Sequence, residues 1–379
     1  MVHGARERDG PGGRVPGGHD GTSEWRLPPS VFQLVRRTTV AETSGIVFVA
    51  RCLSDHRASR FIGPESLLLA ALGKVASKDG INTGGGPNHE GVTETNPVLH
   101  TLTAVLSRGP VSVGDAVGKT DFAVLRPCCS RSGTILSPSG ALIPIDATYT
   151  PGSPVNGLEA SSPTNGMGQV VWTAHSAVSN GAVYYVVLAV ALPSRYSLRP
   201  SELWPPPAGN ESLWAYRWNA SECSPGKAVA ECLTAMAEDA PLSLTAAADR
   251  EAPLDRQMQY TVVVPELAGG WIVLGEMGKY VPVSPARFTE VSVASGALRL
   301  TARGLPGETV NVLVKTPKST SLATVALVVG PGGSATKVVG PTSRRGKSDD
   351  ATPPQPLCDL AVCGPLNISV SRHYLTHRD

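Results

Sequence analysis

Two aspartates in the first third of the chain stand where carboxylates can do chemistry. Asp55 comes shortly after the apolar run Gly45–Ala50, and Asp115 directly follows Pro110–Val113. In a parallel barrel, residues beyond the C-terminal ends of the strands line the active-site face. Two carboxylates on that face can carry acid–base work or hold substrate hydroxyls. The competing reading is structural, because Asp also caps loops and helices. Other reactive types are isolated. His56 and His89 have no partner at metal-ligand spacing, so no metal is expected. Gly84-Gly85-Gly86 lacks the Gly-Lys-Ser/Thr ending of a phosphate loop and reads as a connection. Adjacent Cys128 and Cys129 match no metal spacing and read as buried thiols, whereas Cys223/Cys232 and Cys358/Cys363 are close enough for local disulfides in an oxidising compartment. Glycosylation sequons occur at Asn210, Asn219 and Asn367, a pattern that ten asparagines produce partly by chance. Trp214, Tyr216 and Trp218 alternate with smaller or charged residues, so they share one side of an extended segment. Such a face can stack on a sugar ring, but a core stripe is the favoured reading.

The elements that would position the aspartates are of two kinds. Gly45–Ala50 has the pattern of a strand buried on both faces. A helix follows from Pro64, with Leu67, Leu68, Ala71, Leu72 and Val75 on one side, and Asn96 caps a second that Pro97 opens and Gly109 ends. Pro110–Val113 reads as a short strand, and Thr120 and Asp121 lead into a helix through Leu125. This alternation predicts α/β structure with parallel strands. From Thr134 the rhythm changes to short apolar runs between Gly, Pro and Ser turns. The runs are Ala141–Ile145, Val170–His175, Ala182–Leu192, Gln259–Val264, Trp271–Gly275, Phe288–Val293, Leu298–Arg303, Thr309–Val314 and Ala323–Val329. They predict an antiparallel sandwich or barrel, of which the sandwich is the reading taken. The Pro-rich stretch Pro193–Ala240 interrupts them with one expected helix, Lys227–Ala237, and a last strand is expected near Leu366–Val370. The resulting division is a low-complexity, disordered tail at 1–28, a partial α/β barrel segment at 29–130, and a β-sandwich at 131–379 with a mobile loop at 330–357.

Composition narrows the function classes. A formal charge of +2, with the most visible basic clusters at Arg6–Arg14 and Arg344–Lys347 partly offset by acidic residues, gives no footprint for nucleic acid. No apolar stretch reaches 18 residues, so no membrane-spanning helix is expected, and residues 1–24 lack the apolar core of a secretory leader. These features leave the compartment open.

The segment Val49-Ala50-Arg51-Cys52-Leu53-Ser54-Asp55, the Leu-rich helix after it, and Gly109-Pro110-Val111-Ser112-Val113-Gly114-Asp115-Ala116-Val117-Gly118-Lys119 together resemble raffinose synthases and alkaline α-galactosidases. The likeness continues through Asp121–Leu125 and Gly133–Leu136, so it covers Val47 to about Ile145. It implies a (β/α)8 barrel followed by a β-sandwich, acting on α-galactoside oligosaccharides by double displacement. Under it, Asp55 matches the general acid/base, and Asp115 and Arg51 match substrate-binding positions, with no metal or organic cofactor. The chain departs from the family pattern at several places. His56 stands where a second acidic residue belongs, one extra residue separates Arg51 from Ser54, Gly114 replaces a serine, and Ser112 replaces a tyrosine. The family's nucleophilic Lys-x-Asp has no counterpart in the 54 residues before Asp55. A whole barrel needs about 200–250 residues. The expectation is therefore the C-terminal part of an α-galactoside-processing, glycoside hydrolase-like enzyme, inactive as this chain. The alternative is a non-catalytic carbohydrate-binding or cell-surface β-sandwich module.

Overall fold

Every one of the nine apolar runs predicted after Thr134 overlaps a strand in the computed structural model. The structure describes residues 46–49, 69, 71–78, 80–84, 96–155, 170–178, 181–190, 192, 194–209, 211–245 and 258–340, all within one unit, 38–379. In chain order the strands begin with β1 (Ile46–Val49) and β2 (Val75–Lys78), followed by helices α1 (Pro97–Leu106) and α2 (Phe122–Leu125). Then come β3 (Ile143–Pro144), β4 (Val170–Ala177), β5 (Val183–Val190), β6 (Tyr196–Leu198) and β7 (Leu213–Arg217). Helix α3 (Val229–Cys232) precedes β8 (Thr234–Met236), β9 (Leu242–Leu244), β10 (Met258–Leu267) and β11 (Trp271–Glu276). The last are β12 (Phe288–Ala294), β13 (Ala297–Arg303), β14 (Thr309–Lys315), β15 (Leu322–Val328) and β16 (Ser334–Val339).

The organising strand is β10. Its residues Met258–Val263 pair with β5, Thr261–Pro265 pair with β7, and Glu266 and Leu267 pair with β11 across a short turn. One antiparallel sheet, β3-β4-β5-β10-β7-β8, therefore runs into a second, β11-β14-β15, through a shared strand. A third sheet, β12-β13-β16, contributes to the same core as β11-β14-β15, and β6-β9 forms a small ribbon.

Strand periodicity explains why β5 reads as unbroken apolar sequence. Tyr184, Val186, Leu188 and Val190 face one core, which also holds Leu99, Leu102, Val105 and Leu106 of α1 and runs on into β11 to β15. Tyr185, Val187 and Ala189 face a second core, closed by Leu198, Leu203, Leu242 and Leu244 from the ribbon and its flanks. Each of the Val and Leu side chains among them, taken fully from water, contributes about 1.5–3 kcal/mol. Helix α1 is built as its sequence predicts. The Asn96 side chain accepts from the Leu99 amide at 3.0 Å, and Pro97 occupies the first turn. Its left-handed terminator is Arg108 (φ 67°) rather than Gly109. In β11, Gly275 (φ 101°) sits at a register shift, and a Cβ there would lie 2.4 Å from the Pro282 carbonyl oxygen, so no larger residue fits.

Several expectations are corrected. The partial (β/α)8 barrel is overturned, because the described residues are mostly antiparallel sheet with few helices, of which α1 has ten residues while α2 and α3 have four each. Among the described residues, parallel pairing is confined to β1–β2 and a single Ile81–Val113 bridge. Pro110 has no amide to donate, and Pro110–Val113 forms no further ladder among the described residues. Val75, expected on a helix, opens β2. The predicted helix Lys227–Ala237 shrinks to α3, because a disulfide closes Cys223 onto Cys232 and the loop between them bonds to residues 320–322. Strand β16 occupies part of the expected mobile loop. The tail at 1–28, the Cys358/Cys363 pair and the strand near 366–370 lie outside the described residues.

Candidate functional site

Asp115 is held by the segment it was expected to stand beside. Ile81 and Val113 bridge in parallel, with the Ile81 amide donating to the Ser112 carbonyl and the Gly114 amide to Ile81. Gly80 and Gly114 lie against one another, a Cβ on Gly80 falling in ordinary contact with the Gly114 backbone at 3.4 Å. This approach aims the Asp115 carboxylate at the next turn. It accepts from the Thr83 amide at 2.7 Å, the Thr83 hydroxyl at 2.5 Å and the Gly84 amide at 3.3 Å. The Thr83 hydroxyl in turn accepts from the Asp121 amide at 2.7 Å, and Asp121 caps α2. Asp115 is thus the centre of a clasp joining three segments. Arg51 and Asp55, the other residues picked out by sequence, lie outside the described residues, as do His56 and His89. Among the described residues no group of three or more His, Cys, Asp or Glu could hold a metal ion.

The aromatic stripe is core. Tyr216 is buried and donates to the Leu274 carbonyl at 2.8 Å; Trp218 donates to the Lys279 carbonyl at 2.7 Å and packs edge-on to Tyr260; Trp214 donates to Glu266 at 2.9 Å. Tyr260 donates to the Tyr280 carbonyl and Tyr280 to that of Val124. Burial drives the phenols of Tyr184, Tyr216, Tyr260 and Tyr280 well above the ordinary tyrosine range, so all four stay neutral.

A different aromatic is offered to solvent. Trp204 is 60% exposed, the only tryptophan among the large exposed apolar side chains of the described residues. Both of its neighbours are fastened. Leu203 is buried in the second core, and the Pro205 carbonyl accepts from the Tyr185 hydroxyl at 2.9 Å. Before it, Pro200–Glu202 forms a short 3₁₀ turn whose Glu202 carboxylate accepts from the Arg199 amide at 2.8 Å and from the Tyr196 hydroxyl. Ser201 is tied by amide and hydroxyl to Glu238, at 2.8 and 3.1 Å.

His175, in the second half of β4 opposite Tyr185, donates to the Trp204 backbone and packs against Gly140, where a Cβ would come within 2.2 Å of the ring. Burial lowers its pKa from the usual imidazole value; the Trp204 backbone opposes this and nearby Arg108 adds to it. The ring is therefore neutral near pH 7, with one nitrogen donating and the other accepting. An exposed indole on a backbone anchored at both neighbouring residues can stack on the apolar face of a sugar ring.

Sequence reasoning passed over Trp204. The signal was Trp204-Pro205-Pro206-Pro207, because an indole directly before three prolines cannot sit inside a paired strand. The fold removes the barrel on which the glycoside hydrolase reading rested. No family model matches the chain, and no curated protein matches it.

Proposed function

We propose that this chain is a carbohydrate-binding β-sandwich module that works by recognition, with the Trp204 indole as the stacking platform. The observation that carries the reading is an indole left in solvent while both residues beside it in the chain are anchored. A backbone anchored before the ligand arrives has less ordering entropy to lose on binding. His175, bonded to the Trp204 backbone, ties the platform to β4 and keeps its other ring nitrogen as an acceptor. The ligand class is an oligosaccharide.

The test is isothermal titration of the full chain with a raffinose-type α-galactoside, a β-linked glucan oligosaccharide and free galactose, alongside Trp204→Ala and Trp204→Tyr. Binding of an oligosaccharide is expected, weakened about tenfold in the Ala variant, since about 1.4 kcal/mol corresponds to one decade. The Tyr variant should keep most of it. Equal affinity in wild type and Trp204→Ala, or no heat with any sugar, overturns the reading.

A further inference from the structure

We propose that Asn219 is an N-glycan acceptor, and that this segment matures in a compartment that both oxidises thiols and glycosylates. The sequon Asn219-Ala220-Ser221 follows β7 directly. Asn219 and Ser221 are both exposed, on a turn in which the Ala220 amide donates to the Arg217 carbonyl at 3.3 Å. Asn219 sits at φ 57°, a left-handed position that Asn tolerates better than most residues. Turn geometry alone accounts for the asparagine. It does not account for a hydroxyl residue two places later, nor for the absence of proline between them, and those are what the transferase reads.

The second observation is independent of the first. Cys223, two residues beyond the sequon, is bonded to Cys232. Both cysteines are buried, and the loop they close is stitched to the start of β15: the Gly226 amide donates to Leu322, Leu322 back to Lys227, and Val229 to Thr320. Disulfides persist where the surroundings are oxidising, and the eukaryotic compartment that forms them is also the one that attaches Asn-linked sugars. Trp218, on the other side of Asn219, is fixed by its bond to Lys279. The acceptor amide therefore projects from a turn anchored on both flanks, with open solvent for a bulky sugar.

The chemistry balances with a named donor. The Asn219 side-chain nitrogen displaces a lipid pyrophosphate from C1 of the donor oligosaccharide. The C1–O bond to phosphate breaks, the N–C1 bond forms, and the amide proton leaves with the released lipid pyrophosphate. The disulfide forms when the two thiols lose two protons and two electrons to a disulfide-bearing oxidant.

One digest reads both features. Trypsin cleaves after Arg217, Lys227 and Arg250, so without reduction residues 218–227 and 228–250 emerge as a single linked pair. Protein recovered from the cells that make it is expected to yield this pair carrying a glycan on Asn219. Amidase release in heavy-oxygen water should then convert Asn219 to labelled Asp. A bare Asn219 in the linked pair overturns the glycan, and free thiols at 223 and 232 overturn the compartment. Asn219→Gly, which keeps the left-handed turn, and Ser221→Ala should each remove one glycan, whereas Ser221→Thr should retain it. Unchanged electrophoretic mobility in both loss variants also overturns the proposal.

Discussion

The Asp115 carboxylate holds both the amide and the hydroxyl of Thr83, a residue 32 positions earlier and almost wholly buried. The pair closes Ile81–Gly84 onto Val113–Asp115, and through Asp121 it fixes the start of α2. The sequence offers Asp115 as a ligand for substrate; its bonds give it a structural duty as well.

Removing the carboxylate should therefore cost stability whether or not any sugar is present. Asp115→Ala leaves the buried Thr83 donors without a partner, at about 1–3 kcal/mol. Thr83→Val should also destabilise, and the double variant should lose less than the sum, because both changes remove the bond between the Thr83 hydroxyl and the carboxylate. Urea melts of the four proteins measure the coupling. Additive losses would show that the pair does not act as a unit.

Arg287 is the most buried charged group among the described residues, at 1% exposure. Its guanidinium reaches Glu276 at 2.8 and 3.1 Å, Glu308 at 2.6 Å and the Arg303 carbonyl at 2.8 Å. Two carboxylates share one cation, so its loss leaves both facing a low dielectric unpaired. Arg287→Met should destabilise by about 3–5 kcal/mol, and Arg287→Lys by less, since an ammonium keeps the charge but not the planar fork. Burial alone would raise the Glu308 pKa, but bonds from Arg287 and the Leu305 amide outweigh it and hold the carboxyl below the usual range. A carboxylate with a depressed folded pKa stabilises fully above its unfolded value and loses that contribution as pH falls through the folded one. Wild type should thus lose stability below about pH 4.5. A Glu308→Gln variant should show a shallower loss there in melts between pH 7 and 3.

Burial, first of all, pushes the Cys128 thiol up to about 12. The thiolate is the nucleophile, so at pH 8 the native protein holds almost none of it at this position. Alkylation mapped by tandem mass spectrometry should leave Cys128 unmodified in the fold and label it after denaturation. Prompt native labelling would show that the site opens.

How much of this could be read from the residues depends on the range of the forces. Asn96 and Pro97 specify the start of α1 through bonds three residues long, and the alternation in β13 or β14 reports one buried face each; such signals are local. The barrel expectation failed because strand and helix alternation is local too, whereas strand direction is decided by partners far away. Ile81 pairs with Val113, and Thr261 with both Val187 and Arg217. No window of sequence contains those pairs. Trp204 was hidden differently: an indole is assigned to a core by its size, and only the placement of Leu203 and the Pro205 carbonyl turns it outward.

Because β10 belongs to two sheets at once, neither layer has an independent route out of the native state. Releasing Met258–Val263 from β5 strips hydrogen bonds from the first sheet and slackens the Glu266–Leu267 hairpin that starts the second. Local openings that spare β10 stay small, at the sheet margins. Openings that include it engage both sheets and become global. The amides of β10 and of its neighbours β5 and β11 should thus exchange with solvent at one common, slowest rate, as a single cooperative block rather than two.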